Sequence, residues 1–172
     1  MFRVRRSFFV SLALLIPLLG GCGYHFVGMG GMPRGVKKIA ICTLDNATPE
    51  PHLGEVIASA LRREFITRRG VEVVGEGEAE AILKGKVTSF KLTSLAYDRQ
   101  GRAKEYRARV VLDLELTSKE GDRLWGLSNF SWSKSFTVYR DVMIDEQRKN
   151  WAIDEIADDL AEAVYLRMTE EF

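Results

Sequence analysis

The chain has 172 residues and is nearly neutral, with 25 lysine and arginine residues against 24 aspartate and glutamate residues. That is the usual size of one domain, large enough to bury a core without metal or disulfide staples. Near-neutrality argues against a general nucleic-acid binder, which is strongly basic, and leaves room only for a local basic patch.

The N-terminus reads "MFRVRRSFFVSLALLIPLLGGC". Arg3, Arg5 and Arg6 precede an apolar run from Phe8 to Leu19, of signal-peptide length and too short to span a bilayer as a mature helix. A leucine, the small pair Gly20-Gly21 and Cys22 follow in the order of a bacterial lipobox. This predicts a signal peptide over residues 1–21 and a diacylglycerol thioether on Cys22, with acylation of the new amino group. The alternative is an ordinary signal peptide with an incidental cysteine. Three acyl chains hold a protein firmly on a membrane, because each buried CH2 adds about 0.8 kcal/mol. Gly23, rather than aspartate, after the cysteine favours the outer membrane, with the chain facing the periplasm. Removing the three arginines leaves 22 basic against 24 acidic residues, a charge of about −2.

Residues 22–35 are glycine-rich and predict a tether, with a single domain over 36–172. Val36 to Leu44 reads as a first strand, and "DNATPEPH" as a loop. Leu53, Val56, Ile57, Ala60, Leu61 and Phe65 fall at helical spacing, predicting a helix over 52–69 that Gly70 ends. "VEVV" is a short strand and "GEGEAEA" an acidic turn. "AILKGKVTSFKL" is a strand with a possible bulge at Gly85. "EYRARVVLDLELTS" alternates most clearly: Tyr106, Ala108, Val110, Leu112, Leu114 and Leu116 share one face, and Arg107, Arg109, Asp113 and Glu115 the other. "RLWGLSNFSWSKSFTVY" returns antiparallel, and residues 150–172 form a long amphipathic helix. The expected fold is α+β, a mostly antiparallel four- to five-stranded sheet with two helices packed on one face.

The residues for catalysis are lacking. His25 and His52 belong to no ligand set of metal spacing, and nothing places a base beside a serine. Glu76, Glu78 and Glu80 lack the pattern of a calcium loop. No metal, no cofactor beyond the lipid on Cys22, and no enzyme activity are expected. Cys42, in an apolar run, reads as a buried small hydrophobe rather than a redox group.

Binding remains. Lys84, Lys86, Arg107 and Arg109 fall on the wet face of the central strand pair, and Arg99, Arg102 and Lys104 in its turn. Two readings stay open: an anion site, for which arginine forks suit phosphate and carboxylate, or a solvated face balanced by Asp98, Glu105, Asp113 and Glu115. Arg62, Arg63, Arg68 and Arg69 read as a solvated helix face. In the aromatic strand, Phe130, Trp132, Phe136 and Val138 take the core phase. Trp125 and Tyr139 lie on the opposite phase, where they would meet a partner.

"CGYHFVG" at Cys22, the following strand with its N-x-T loop and helix, the "AEAILKGKV" hairpin with Glu105-Tyr106 after its polar turn, and the helix "AIDEIADDLAEAVYLRM" together resemble the LptE family of lipopolysaccharide-assembly lipoproteins. The resemblance covers nearly all of Cys22 to Phe172. It implies an α/β sandwich anchored in the outer membrane, sitting as a plug in the lumen of the β-barrel LptD. It further implies help in assembling that barrel and binding of lipopolysaccharide, with Arg99 extended a share in that binding. A second group with a similar start, the LpoB- and CsgG-like lipoproteins, regulates peptidoglycan synthases or builds oligomeric secretion pores.

Overall fold

The computed structural model describes residues 31–139 and 141–170; the predicted signal peptide and Cys22 lie outside them. A 3-10 turn (Pro33–Gly35) leads into β1 (Lys38–Ile41), β2 (Asp45–Asn46), α1 (Leu53–Thr67), β3 (Glu72–Val73), β4 (Ala81–Tyr97), β5 (Ala103–Ser118), β6 (Arg123–Thr137) and α2 (Val142–Glu170). The sheet is six-stranded in the order β3-β1-β4-β5-β6, with β2 pairing β4 off that path.

The class is the expected α+β, but the sheet is mixed. β4, β5 and β6 form an antiparallel meander, joined by short turns. β1 runs parallel to both β3 and β4. Parallel neighbours require a crossover, and α1 supplies it between β1 and β3. The two-residue β2, which pairs in parallel with Lys86 and Val87, adds a strand too short for any sequence period to show.

Each helix buries one stripe. Leu53, Ile57, Leu61 and Phe65 of α1 and Ile156, Leu160, Val164 and Met168 of α2 join the inner face of the strands in one apolar cluster. A fully buried side chain of this size contributes about 1.5–3 kcal/mol. Phe65 and Tyr165 meet edge to face at 5.1 Å, locking the helices together. The core reaches back to Met32 and Pro33, inside the stretch read as tether.

Several boundaries differ from the sequence reading. α1 ends at Thr67 with Arg68 already extended, and Gly70, at φ +104, makes the following turn into β3. Gly85 is no bulge: it pairs in register with Leu114, and a Cβ there would strike the Asp113 carbonyl and the Leu114 side chain. The ladder instead breaks at Thr88 and again at Leu95. α2 begins eight residues earlier than the apolar stripe suggested. Asp141 caps it, its Oδ1 accepting the N–H groups of Met143 at 3.0 Å and Ile144 at 3.1 Å.

A bulge in β6 has the largest consequence. Leu112 pairs Phe130 and Leu114 pairs Leu127, so one extra residue sits at Ser128-Asn129. Asn129 takes φ +55, and its N–H donates to Asp113 Oδ1 at 2.7 Å. The extra residue exchanges the two faces of the strand. Trp125 therefore points inward opposite Leu116, 5% exposed, which corrects the expectation that it meets a partner.

Candidate functional site

The outer face of the sheet, away from the helices, carries most of the basic residues singled out in the sequence. The structure divides them into three groups along the β4–β5 hairpin. At its base, Lys84 sits opposite Glu115, and Lys86 lies between Asp113 and Asp45. Arg123 reaches Glu115 at 3.4 Å. These groups line a cleft of about 380 Å³ in which positive and negative charges alternate. Here the balanced, solvated face is the better description.

Midway, the balance changes. The Thr88 bulge shifts the phase of β4, so Lys91 faces outward beside Arg109, and Thr93 beside Arg107. On β6, Ser133 and Ser135 stand opposite the two arginines, and Arg109 Nη2 donates to Ser131 Oγ at 2.9 Å. Among the described residues, no carboxylate forms an ion pair with Lys91, Arg107 or Arg109, although Glu105 lies further along the same face. Three cations beside a row of hydroxyls form a surface suited to phosphate or phosphorylated sugar. Sequence alternation missed Lys91, because the bulge that turns it outward leaves no mark in the apolar period.

At the tip, Arg102 is structural. Its Nε donates to Asp98 Oδ2 at 3.0 Å, and its backbone N–H to Asp98 Oδ1 at 3.0 Å. That backbone bond is the main cause holding the Asp98 carboxyl below its ordinary pKa. Arg99 and Lys104 instead line an open cleft of about 540 Å³ with Tyr97, Val138 and Tyr139. Tyr139 is 58% exposed, and the Arg148 guanidinium lies 5.1 Å from its ring centre.

Behind the tip, an apolar groove of about 480 Å³ runs between the hairpin and the start of α2, walled by Leu92, Tyr106, Phe136 and Val142. Leu95, Tyr97, Met143 and Ile144 are exposed at this same end. The early start of α2 creates that apolar end, and the Asp141 cap was the sequence signal for it.

Nothing else in the described residues resembles a reactive centre. No cluster of potential metal ligands occurs among them. Cys42 is half-buried rather than the buried hydrophobe expected, because its thiol donates to Glu76 Oε1 at 3.3 Å; burial and that hydrogen bond both push the thiol pKa up.

A two-helix, one-sheet α+β layer pair with an unneutralised cationic patch midway along its outer face defines a binding domain. Residues 36–168 match the family model LptE, lipopolysaccharide-assembly, and the chain belongs to that family. Solved structures agree in fold. A candidate lipoprotein from Caulobacter crescentus CB15 superposes with a TM-score of 0.55 at 14% identity, over 74% of this chain and 89% of its own. The rare lipoprotein B from Shewanella oneidensis gives 0.53 at 12%, over 78% and 96%. Lipoprotein B from Nitrosomonas europaea gives 0.52 at 16%, over 78% and 83%. No curated protein matches the sequence. Membership gives the chain a part in lipopolysaccharide assembly at the cell envelope.

Proposed function

We propose that this chain is an outer-membrane lipoprotein, anchored through Cys22, that plugs a large LptD-type β-barrel and binds lipopolysaccharide on its way to the outer leaflet. It works by binding and assembly, not by catalysis. The observation that carries the reading, together with family membership, is the unpaired trio Lys91, Arg107 and Arg109 on a flat, hydroxyl-lined sheet face. Phosphates and sugars would lie on that face, extended toward the tip by Arg99 and Lys104. Acyl chains would follow the apolar groove beside Leu92 and Val142. A compact domain with a wet outer face also suits the polar lumen of a barrel.

The test is purification of the tagged, lipidated chain from outer membranes in mild detergent. A stoichiometric β-barrel with lipopolysaccharide in the eluate supports the proposal. A peptidoglycan synthase, or a ring of identical subunits without a barrel, overturns it.

A further inference from the structure

We propose that residues 32–38 form a clasp that fixes where the lipid anchor leaves the domain, holding the base of the sheet toward the anchoring leaflet and its tip away. The inference rests on the Cys22 anchor proposed above, and it concerns residues that lipopolysaccharide binding does not use.

The stretch before β1 reads as a tether, yet it is tied down from Met32 onward. Met32 is 6% exposed and Val36 9%, both members of the core cluster, and Pro33 is buried. The N–H of Gly35 donates to the Met32 carbonyl at 2.9 Å, closing a tight turn. Arg34 Nη1 lies 3.7 Å from Asp122 Oδ2 in the turn between β5 and β6. Glu80 Oε2 then accepts the N–H groups of Lys37 and Lys38. Inside the turn, Arg34 at φ +52 and Gly35 at φ +73 are successive left-handed residues. For arginine that conformation is unfavourable and persists only where surrounding contacts hold it. A plain tether needs neither a buried methionine nor a strained backbone.

The clasp sits at one end of the long hairpin. Asp122 lies in the turn that follows β5, and Glu80 directly precedes β4, so both mark the base. The tip lies at the other end of β5, which spans Ala103–Ser118, about 50 Å away. With the clasp closed, the chain between Cys22 and Met32 reaches at most about 35 Å. The base therefore stays within that distance of the leaflet. An inverted domain, with its tip at the leaflet and its base about 50 Å off, is out of reach. With the clasp open, the chain is free as far as Lys38 and reaches about 55 Å, enough to invert. The seat of Met32 thus decides which end of the sheet faces the membrane that holds the anchor.

Limited trypsin digestion of the full lipidated chain in its outer membrane tests the clasp. From Cys22 to Pro33 the sequence holds no lysine or arginine, so the first bond that trypsin can cut is Arg34–Gly35. Cleavage there should be slow in wild type and in Met32→Leu. It should be about ten-fold faster in Met32→Ser, in proportion to the population of the opened clasp. Gly28→Arg places a trypsin site ahead of the clasp and controls for access. Wild type cut at Arg34 as fast as Gly28→Arg is cut at its new site would overturn the proposal. A Met32→Ser chain that fails to fold would be cut throughout rather than at Arg34 alone, and wild type against Gly28→Arg still decides. The cut is read on the chain itself, so loss of the Cys22 anchor, seen as chain missing from the membrane fraction, is a separate result.

Polarity is read by energy transfer from a fluorophore at Glu120→Cys, at the base, or Gln100→Cys, at the tip, in a Cys42→Ser background. The acceptor is carried on headgroups of phosphatidylcholine vesicles that hold the lipidated chain. Transfer in wild type should be about two-fold stronger from the base than from the tip, and Met32→Ser should narrow that gap. Equal transfer from both ends of wild type would overturn the fixed polarity.

Discussion

Lys149 Nζ lies 2.9 Å from Glu50 Oε1, tying the second turn of α2 to the loop that precedes α1. Their side chains are only 16% and 14% exposed, so the pair is worth more than a surface contact. Glu146 adds a second carboxylate at 2.8 Å. Burial alone would push the Lys149 ammonium down, but the bonds to Glu146 and Glu50 outweigh it and the net shift is upward.

Replacing Glu50 with alanine should destabilise the fold by about 2 kcal/mol, between the values for surface and buried pairs, as read by urea unfolding. The double variant Glu50→Ala/Lys149→Met should recover part of that loss, because it also removes the buried ammonium that Glu50→Ala leaves with the exposed Glu146 alone. The raised pKa means the pair's contribution is full below the ordinary lysine value of about 10.4 and is lost as pH rises through the folded value. Wild-type stability should therefore fall in strong alkali more steeply than that of the double variant.

Acid acts through Glu80. Its Oε2 accepts the N–H groups of Lys37 at 2.7 Å and Lys38 at 3.3 Å, fastening the acidic turn to β1. These backbone bonds hold its carboxyl below the ordinary value. The stabilisation is present above the unfolded pKa of about 4.3 and disappears as pH falls through the lower folded value. Urea midpoints measured from pH 7 down to pH 3 should decline less for Glu80→Gln than for wild type. Parallel curves would contradict the assignment.

The bulge in β6 predicts a graded series at Asn129. Glycine, free to adopt φ +55, should be tolerated, whereas valine should cost about 1–2 kcal/mol. At Trp125 the indole Nε1–H is buried without a hydrogen-bond partner among the described residues. Phenylalanine removes that orphan donor while keeping a ring, so Trp125→Phe should stay within about 1 kcal/mol of wild type. Trp125→Ala should lose about 3–5 kcal/mol by cavity formation.

The cations should separate by position. Paired substitution of Arg107 and Arg109 by alanine should weaken lipopolysaccharide binding about ten-fold or more, an effect shrinking at high salt. Lys91→Ala should act in the same direction. Lys84→Ala and Lys86→Ala should change little, because carboxylates already balance them at the hairpin base. Equal losses from both groups would show that net charge, rather than the open trio, drives binding.

The same series shows what alternation along the chain reveals and what it hides. The stripe of α1 and the two faces of β5 follow simple periods, so both were legible in the residues alone. The faces of β4 and β6 were legible only up to their bulges. A single extra residue moved Lys91 onto the outer face and Trp125 into the core, without altering composition or spacing on either side. The parallel pairing of β1 with β4 was hidden because it joins segments far apart in the chain. The start of α2 was readable from Asp141, but its first three residues, Val142, Met143 and Ile144, are all apolar and break the stripe that was being followed.

The parallel pairing also sets an order of events during synthesis. Ile39 of β1 bonds in register with Ala81 of β4, roughly forty residues later. β4, β5 and β6 close through turns of a few residues. In a chain that emerges N-terminus first, the apolar β1 can meet only the two-residue β3 until the acidic turn has appeared, and its longer partner comes only when β4 arrives. The meander, by contrast, can zip up as fast as it is delivered. The segment most in need of shielding in the nascent protein is therefore its first strand, and the vulnerable interval lasts as long as those intervening residues take to emerge.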